Sequence, residues 1–293
     1  MRILVTGGNG FIGKHLIKNL QKKGHSIICL DKDPIRKEEK LDNIEYIEAH
    51  TKDIFNLNIK CDIIYHLGEY SRISTSFEDI EDVWESNVIG TFSILEFCKE
   101  KNIKLIYAGS SSKFGNGGED ENLSPYAWTK SKNVELIKNY ALWFKLNYSI
   151  AYFYNVYGPG HTTAGKYSTV IGIFEEQFKK RKPLTVVKPG TQKRYFTHIG
   201  DVVRGLLELL NKGDRGEFSF GDDKSLYSVE EVARMFSNNI TYINSKKGDR
   251  KKSPIDLLSS ANILGWTPKI HLKDYIKDYK KQWYNHNTER ENL

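Results

Sequence analysis

The stretch RILVTGGNGFIGKHLIKNL, residues 2–20, restricts the fold more tightly than any other part of the 293-residue chain. A short apolar run, RILVT, breaks at once into glycines and then into an amphipathic helical pattern. The glycines satisfy GxGxxG through Gly8, Gly10 and Gly13, and GxxGxxG through Gly7, Gly10 and Gly13. Between a strand and a helix, that spacing lets the backbone turn sharply, approach a pyrophosphate and pack helix on strand, with the anion at the helix N-terminus. The second apolar run, SIICLD, closes on Asp31, where a carboxylate accepts hydrogen bonds from ribose hydroxyls. Glycine turn, helix and distal acid together point to a dinucleotide. Asp31 repels a 2′-phosphate, which favours NAD over NADP, although Lys32 and Arg36 stand close by.

The first half continues in the same alternation. IEYIEA, CDIIYHL, IKLIYAG and YSIAYFYN are short, nearly continuous apolar runs separated by helical segments, the pattern of a parallel sheet covered on both faces. The expected fold is α/β, a Rossmann-type doubly wound sheet with a smaller mixed α/β C-terminal portion. The boundaries read as a dinucleotide-binding domain over 1–158, helped by about 194–212, and a mainly substrate-binding portion over 159–293. The polar NHNTEREN near the end reads as a frayed tail.

At 39% hydrophobic and 28% charged the composition is that of a globular protein. The net charge of +7 comes from lysines scattered along the chain, so it describes a solvated surface and makes no case for nucleic acid. Cys29, Cys61 and Cys98 lie in or beside apolar runs and read as reduced core residues, which fits a cytoplasmic location. No stretch approaches the ~18 continuous apolar residues of a membrane span. No metal is expected.

The pair Tyr126 and Lys130, in SPYAWTK, stands four residues apart at the start of a helical segment, so both side chains share one face. An ammonium one turn away favours the ionised form of a phenol, as a general base requires. The same spacing recurs at Tyr242 and Lys246 in YINSK, so spacing alone does not choose between them.

Ordered matches along nearly the whole chain make the choice. GGNGFIG, DI (Asp53, Ile54), HLG, NVIGT, SSSKFG, YAWTK, NVYGP, RYFTHIGDV and LGWTPK resemble the extended short-chain dehydrogenase/reductase family, in its branch of nucleotide-sugar epimerases and dehydratases. The resemblance selects Tyr126 and Lys130, which follow a serine-bearing strand, and leaves Tyr242 as a strand or surface residue. It implies a catalytic trio of Ser110, Tyr126 and Lys130. It further implies NAD contacts from Gly7, Gly10, Phe11, Ile12, Gly13, Asp31, Lys32, Asp53, Ile54, Leu67, Gly68, Tyr154, Tyr126 and Lys130. Substrate contacts fall on Ser71, Ser111, Ser112, Asn155 and Arg194, with Lys246 or Arg250 replacing a second phosphate arginine. Relatives commonly dimerise through two helices per subunit, here expected over 80–100 and 126–144, so a homodimer is expected.

The two positions after Ser110 narrow the chemistry. Dehydratases of the family carry Asp and Glu there, decarboxylases keep a Glu, and the 3,5-epimerase branch has a Cys; this chain has Ser111 and Ser112. A serine without a nearby base is a poor proton carrier at neutral pH. What remains needs hydride out and hydride back, which implies a 4-epimerase working through a transient 4-keto sugar, with a UDP-hexose or a derivative favoured as substrate. The alternatives are an oxidoreductase or epimerase of GDP-, CDP- or dTDP-sugars on the same scaffold, and a dinucleotide-sensing protein without catalysis. Two departures stand out. Tyr152 occupies a position where relatives often have Arg, and Glu69 puts a carboxylate where many have a small or amide side chain, directed either at a sugar hydroxyl or outward to solvent.

Overall fold

The computed structural model describes residues 1–244 and 255–291. Six strands of the first half, β1 (Arg2–Thr6), β2 (Ser26–Asp31), β3 (Ile44–Glu48), β4 (Ile63–His66), β5 (Lys104–Ser110) and β6 (Tyr148–Phe153), form a parallel sheet. A seventh strand, Gly216–Phe220, pairs parallel with β6, giving the order Gly216–Phe220, β6, β5, β4, β1, β2, β3. The order reverses between β1 and β4, which opens a crevice at their carboxyl ends, the usual ligand position of such sheets.

Alternation along β1 sends Ile3 and Val5 to one face and Leu4 to the other. On the first face pack α1 (Phe11–Lys22) through Leu16, Ile17 and Leu20, and α6 (Ile199–Glu208) through Val202, Val203 and Leu206. The opposite face is covered by α3 (Gly90–Lys101) with Ile94, Leu95 and Cys98, and by α4 (Pro125–Phe144) with Val134, Ile137 and Tyr140. Each fully buried aliphatic side chain in these layers contributes about 1.5–3 kcal/mol relative to exposure. Two-sided burial explains why the strands are apolar throughout. The contribution of the second half to this core runs further than 194–212, since the strand Gly216–Phe220 supplies Phe218 and Phe220, and Trp266 packs beside them.

The expected helix over 80–100 is composite. A single turn, α2 (Ile80–Val83), passes into a π-helical segment, Trp84–Ile89, before α3 begins. A separate cluster joins α5 (Val170–Lys179), α7 (Val229–Phe236) and α9 (Leu272–Glu291) around Phe174, Phe178, Phe236 and Ile276, beside short two-stranded pairings. Between α7 and α9 lies α8 (Leu258–Leu264). The segment read as a frayed tail is helical as far as Glu291. The three cysteines are free thiols, and burial raises those of Cys29 and Cys61 to about 12. Among the described residues no helix is long and apolar enough to cross a membrane.

Candidate functional site

A cavity of about 450 Å³ opens where the carboxyl ends of β1, β2 and β4 meet. Gly7 makes this junction possible. Its φ is +65°, and a Cβ there would lie 2.6 Å from the carbonyl oxygen of Leu67, so β1 and β4 can end side by side only around a glycine. Gly10 is the N-cap of α1 and lines the cavity with Phe11. The first turn of α1 holds no acidic residue and no side chain caps it, which leaves an electropositive helix end with free N–H groups at the cavity wall. Gly13 is buried and packs the helix onto the loop, while Ile12 is half-buried behind the wall.

Asp31 lines the same cavity. Its carboxylate accepts from the backbone N–H of Asn9 at 2.9 Å and of Asp33 at 3.1 Å. Burial raises its pKa above the ordinary range, against the pull of those two donors. Lys32 also lines the cavity, but its ammonium pairs with Asp82 at 3.2 Å. Uncapped helix, glycine cradle and half-buried acid fit a dinucleotide whose ribose meets Asp31.

Asp53 and Ile54, expected at this site, do not line the cavity. The imidazole of His50 caps the 3₁₀ turn Thr51–Asn56 by accepting from Lys52 N–H at 3.2 Å. That turn carries Ile54 into the core, fully buried, and leaves Ala49, His50 and Thr51 facing the cavity. A sequence signal for them exists in hindsight, since the residues that leave a strand's carboxyl end meet the ligand before the turn that follows.

At the other end of the cavity stand Leu67, Gly68, Glu69, Ser71 and Arg72. Ser124 caps α4 by accepting from Ala127 N–H at 3.1 Å, and Pro125 takes the first helical position, so Tyr126 stands in the first turn and Lys130 one turn on. Lys130 is buried. Its ammonium donates to the carbonyl of Ala108 on β5 at 2.7 Å and to the carboxylate of Glu69. Ser110 ends β5, and its Oγ accepts from Ser112 twice, from N–H at 3.2 Å and from Oγ–H at 2.8 Å. Its own proton therefore remains available to an outside oxygen. Ser111 and Ser112 are buried.

Glu69 takes neither of its expected directions. It turns inward, 1% exposed, and accepts from Thr91 Oγ1 at 2.7 Å, Asn133 Nδ2 at 2.7 Å and Tyr107 OH at 3.0 Å as well as from Lys130. Tyr154, expected beside the nicotinamide, is buried away from the cavity with its ring edge-on to Tyr195 and its hydroxyl 3.2 Å from Ser219 Oγ. Tyr152 gives its hydroxyl to Glu217, which also pairs with Lys138, so the position of the usual arginine is a buried tyrosine tied to an acid. Asn155 has φ +34° and donates through Nδ2 to the carbonyl of Tyr195 at 2.8 Å, next to Arg194. Asn155 is thus tied to the strand Lys193–Tyr195 that carries Arg194, and neither residue lines the cavity. Tyr242 is a half-exposed strand residue, and Lys246 and Arg250 lie outside the described residues.

Comparison with known proteins gives a consistent result. A family model described as "NAD dependent epimerase/dehydratase family" matches residues 3–220. A putative UDP-glucose 4-epimerase of Methanocaldococcus jannaschii is 29% identical over 97% of this chain and 99% of its own length. UDP-glucuronic acid decarboxylase 2 of Arabidopsis thaliana is 25% identical over 99% of this chain and 70% of its own. Among solved structures, the UDP-glucuronic acid 4-epimerase of Bacillus cereus, in complex with UDP-glucuronic acid and NAD, superposes with a TM-score of 0.83. It is 26% identical, covering 96% of this chain and 99% of that one.

Proposed function

Because the chain belongs to the NAD dependent epimerase/dehydratase family, we propose that it is a nucleotide-sugar 4-epimerase, acting on a UDP-hexose or its N-acetyl or uronic relative through a transient 4-keto sugar. When bound, NAD would supply a reversible hydride acceptor for the sugar carbon and would not be consumed. Gly10, the open end of α1 and Asp31 would hold its pyrophosphate and ribose. Tyr126 takes the proton from the sugar 4-hydroxyl and gives it back, and Ser110 donates its free proton to the same oxygen. Lys130 orients the ribose and the phenol. Asn155 and Arg194 hold the substrate diphosphate, the arginine through its planar fork of donors, so that the sugar can turn between the two transfers.

The observation that carries this reading is the environment of Ser110. The following residues are two buried serines, and the hydroxyl of Ser112 is committed to Ser110. Neither position carries a carboxylate to eliminate water, and the group able to move a proton is Tyr126. The M. jannaschii and B. cereus relatives support a UDP-sugar as the substrate class.

The test is incubation with UDP-glucose, UDP-N-acetylglucosamine and UDP-glucuronate, read by chromatography and by absorbance of NADH. Interconversion of C4 epimers without accumulating NADH is expected, and Tyr126→Phe lowers the rate about 10²–10⁴-fold, the range for losing a general acid–base group. Stoichiometric NADH, or a pentose product from UDP-glucuronate, overturns the reading in favour of a dehydrogenase or a decarboxylase.

The homodimer forms through α3, α4 and the segment before α3. Trp84 and Trp128, 47% and 38% exposed, stack with ring centroids 6.1 Å apart and an interplanar angle of 10°, and Phe92 on α3 and Trp143 and Phe144 on α4 are also exposed. Such a patch on helices flanking a sheet is a typical association surface.

A further inference from the structure

We propose that Glu69 is a positioning residue of the site, holding the Lys130 ammonium in place and balancing its charge. A buried ammonium has three donors; Glu69 and the carbonyl of Ala108 take two, and one is left for a bound group. Glu69 is itself fixed from three elements, by Thr91 of α3, Tyr107 of β5 and Asn133 of α4. Three donors crowd Oε1 and the ammonium takes Oε2, so the carboxylate has one geometry, and through it Lys130 has one as well.

The fixation extends to the cofactor loop. Thr91 spends its single proton on Glu69, so its oxygen accepts from His66 Nε2–H at 3.0 Å. His66 Nδ1 then accepts from Thr6 Oγ1 at 2.7 Å, and Thr6 Oγ1 accepts from Gly68 N–H at 3.0 Å. Burial lowers the pKa of His66 to about 4, so this relay carries a neutral imidazole. Gly68 lines the cavity, and the relay therefore ties it to the lysine.

The charge balance also follows. Around the pair stand neutral His66 on β4, the buried and protonated Tyr107 on β5, Tyr126 on the same helix as Lys130, and Arg72 on the loop of Glu69. His50, beside His66, has its pKa lowered by burial and is also neutral. With Lys130 neutralised by Glu69, Arg72 is the net cation of this group.

The experiment is a double-mutant cycle on NADH affinity, read by cofactor fluorescence, with E69Q, K130M and both together. Each single change is expected to weaken NADH about tenfold and the double change no further, a coupling of the size seen for residues in contact. Wild-type affinity in E69Q, or losses that multiply, overturns the proposal. If the unpaired ammonium prevents E69Q from folding, the cycle is run with E69D, whose shorter carboxylate weakens NADH when Lys130 is present and has no effect when it is Met. The second readout rests on the epimerase reading. E69Q leaves the ammonium unopposed, so the ascending limb of kcat/KM against pH moves to lower pH by at least about half a unit, while a merely structural role lowers the amplitude and leaves the limb in place. A wild-type protein that turns over no UDP-sugar defeats the epimerase reading, and the NADH cycle still judges Glu69.

Discussion

A methyl group at Gly13 and a methyl group at Gly10 separate the two tasks of the nucleotide-loop glycines. At Gly13 the added Cβ would lie 2.3 Å from the carbonyl oxygen of Gly7 and 2.7 Å from the Cα of Gly8, both backbone atoms that cannot swing aside. Ordinary contact begins near 3.4 Å, so α1 must withdraw by about 1 Å from the loop it packs on, an overpacking worth about 1–3 kcal/mol. At Gly10 the Cβ meets a single atom within 4 Å, the Gly7 oxygen at 3.2 Å, and the backbone angles of φ −70° and ψ 169° suit alanine. Gly10→Ala therefore leaves the apoprotein within about 1 kcal/mol of wild type, the residual being alanine's poorer fit as an N-cap.

The methyl instead occupies the cavity wall that a pyrophosphate must approach. A displacement costing about 2 kcal/mol there corresponds to roughly thirtyfold weaker NAD binding. For Gly13→Ala the same 2 kcal/mol falls on the fold and lowers the melting temperature by about 3 °C. Thermal melts of the apoproteins and calorimetric NAD titrations read the two effects separately. The reasoning is refuted if Gly10→Ala binds NAD like wild type, or if Gly13→Ala melts at the wild-type temperature.

Two further outcomes are expected. His66 is neutral in the folded chain, its pKa lowered by burial from 6.5 to about 4, so the stabilisation it allows is present above pH 6.5 and is lost as pH falls through that interval. The loss amounts to about 3 kcal/mol; His66→Asn flattens the dependence of the urea midpoint on pH over the same window, and an unchanged slope shows that His66 does not titrate there. At the exposed tryptophan pair, Trp128→Glu places a charge against Trp84, and sedimentation is expected to show monomers in place of dimers.

What could be read in the sequence was what local backbone physics dictates. Gly7, Gly10 and Asp31 were legible as cavity-lining residues and Gly13 as the helix–loop contact, because a tight strand-to-helix turn admits few residues; the common face of Tyr126 and Lys130 was legible because one helical turn fixes it. The strands were legible because burial on both sides makes them apolar throughout. Asp53 and Ile54 fall outside the cavity lining because the 3₁₀ turn capped by His50 brings residues 49–51 to the wall instead, and a side-chain cap of that kind leaves no periodic trace. The seventh strand was missed because its partner β6 lies more than sixty residues earlier. The direction of Glu69 could not be read at all, since its partners Thr91, Tyr107, Lys130 and Asn133 come from three other elements and converge only in the folded chain.

The two ends of the site are held in different ways, and the difference bears on the chemistry. Lys130 is locked to β5 through Ala108 and to the loop after β4 through Glu69, so moving α4 against the sheet would strand a buried charge at a cost of about 3–5 kcal/mol. Asn155, the residue proposed to hold the substrate diphosphate, is exposed, holds a left-handed φ of +34° and reaches the carbonyl of Tyr195 through a hydrogen bond worth about 1 kcal/mol. A reaction that presents both faces of one sugar to a single proton-transfer group requires that group to stay still while the sugar turns. The fixed ammonium of Lys130, one helical turn from Tyr126, and the Ser112 bonds to Ser110 meet the first requirement. In the proposed reaction Asn155, exposed and outside the cavity lining, leaves room for the second.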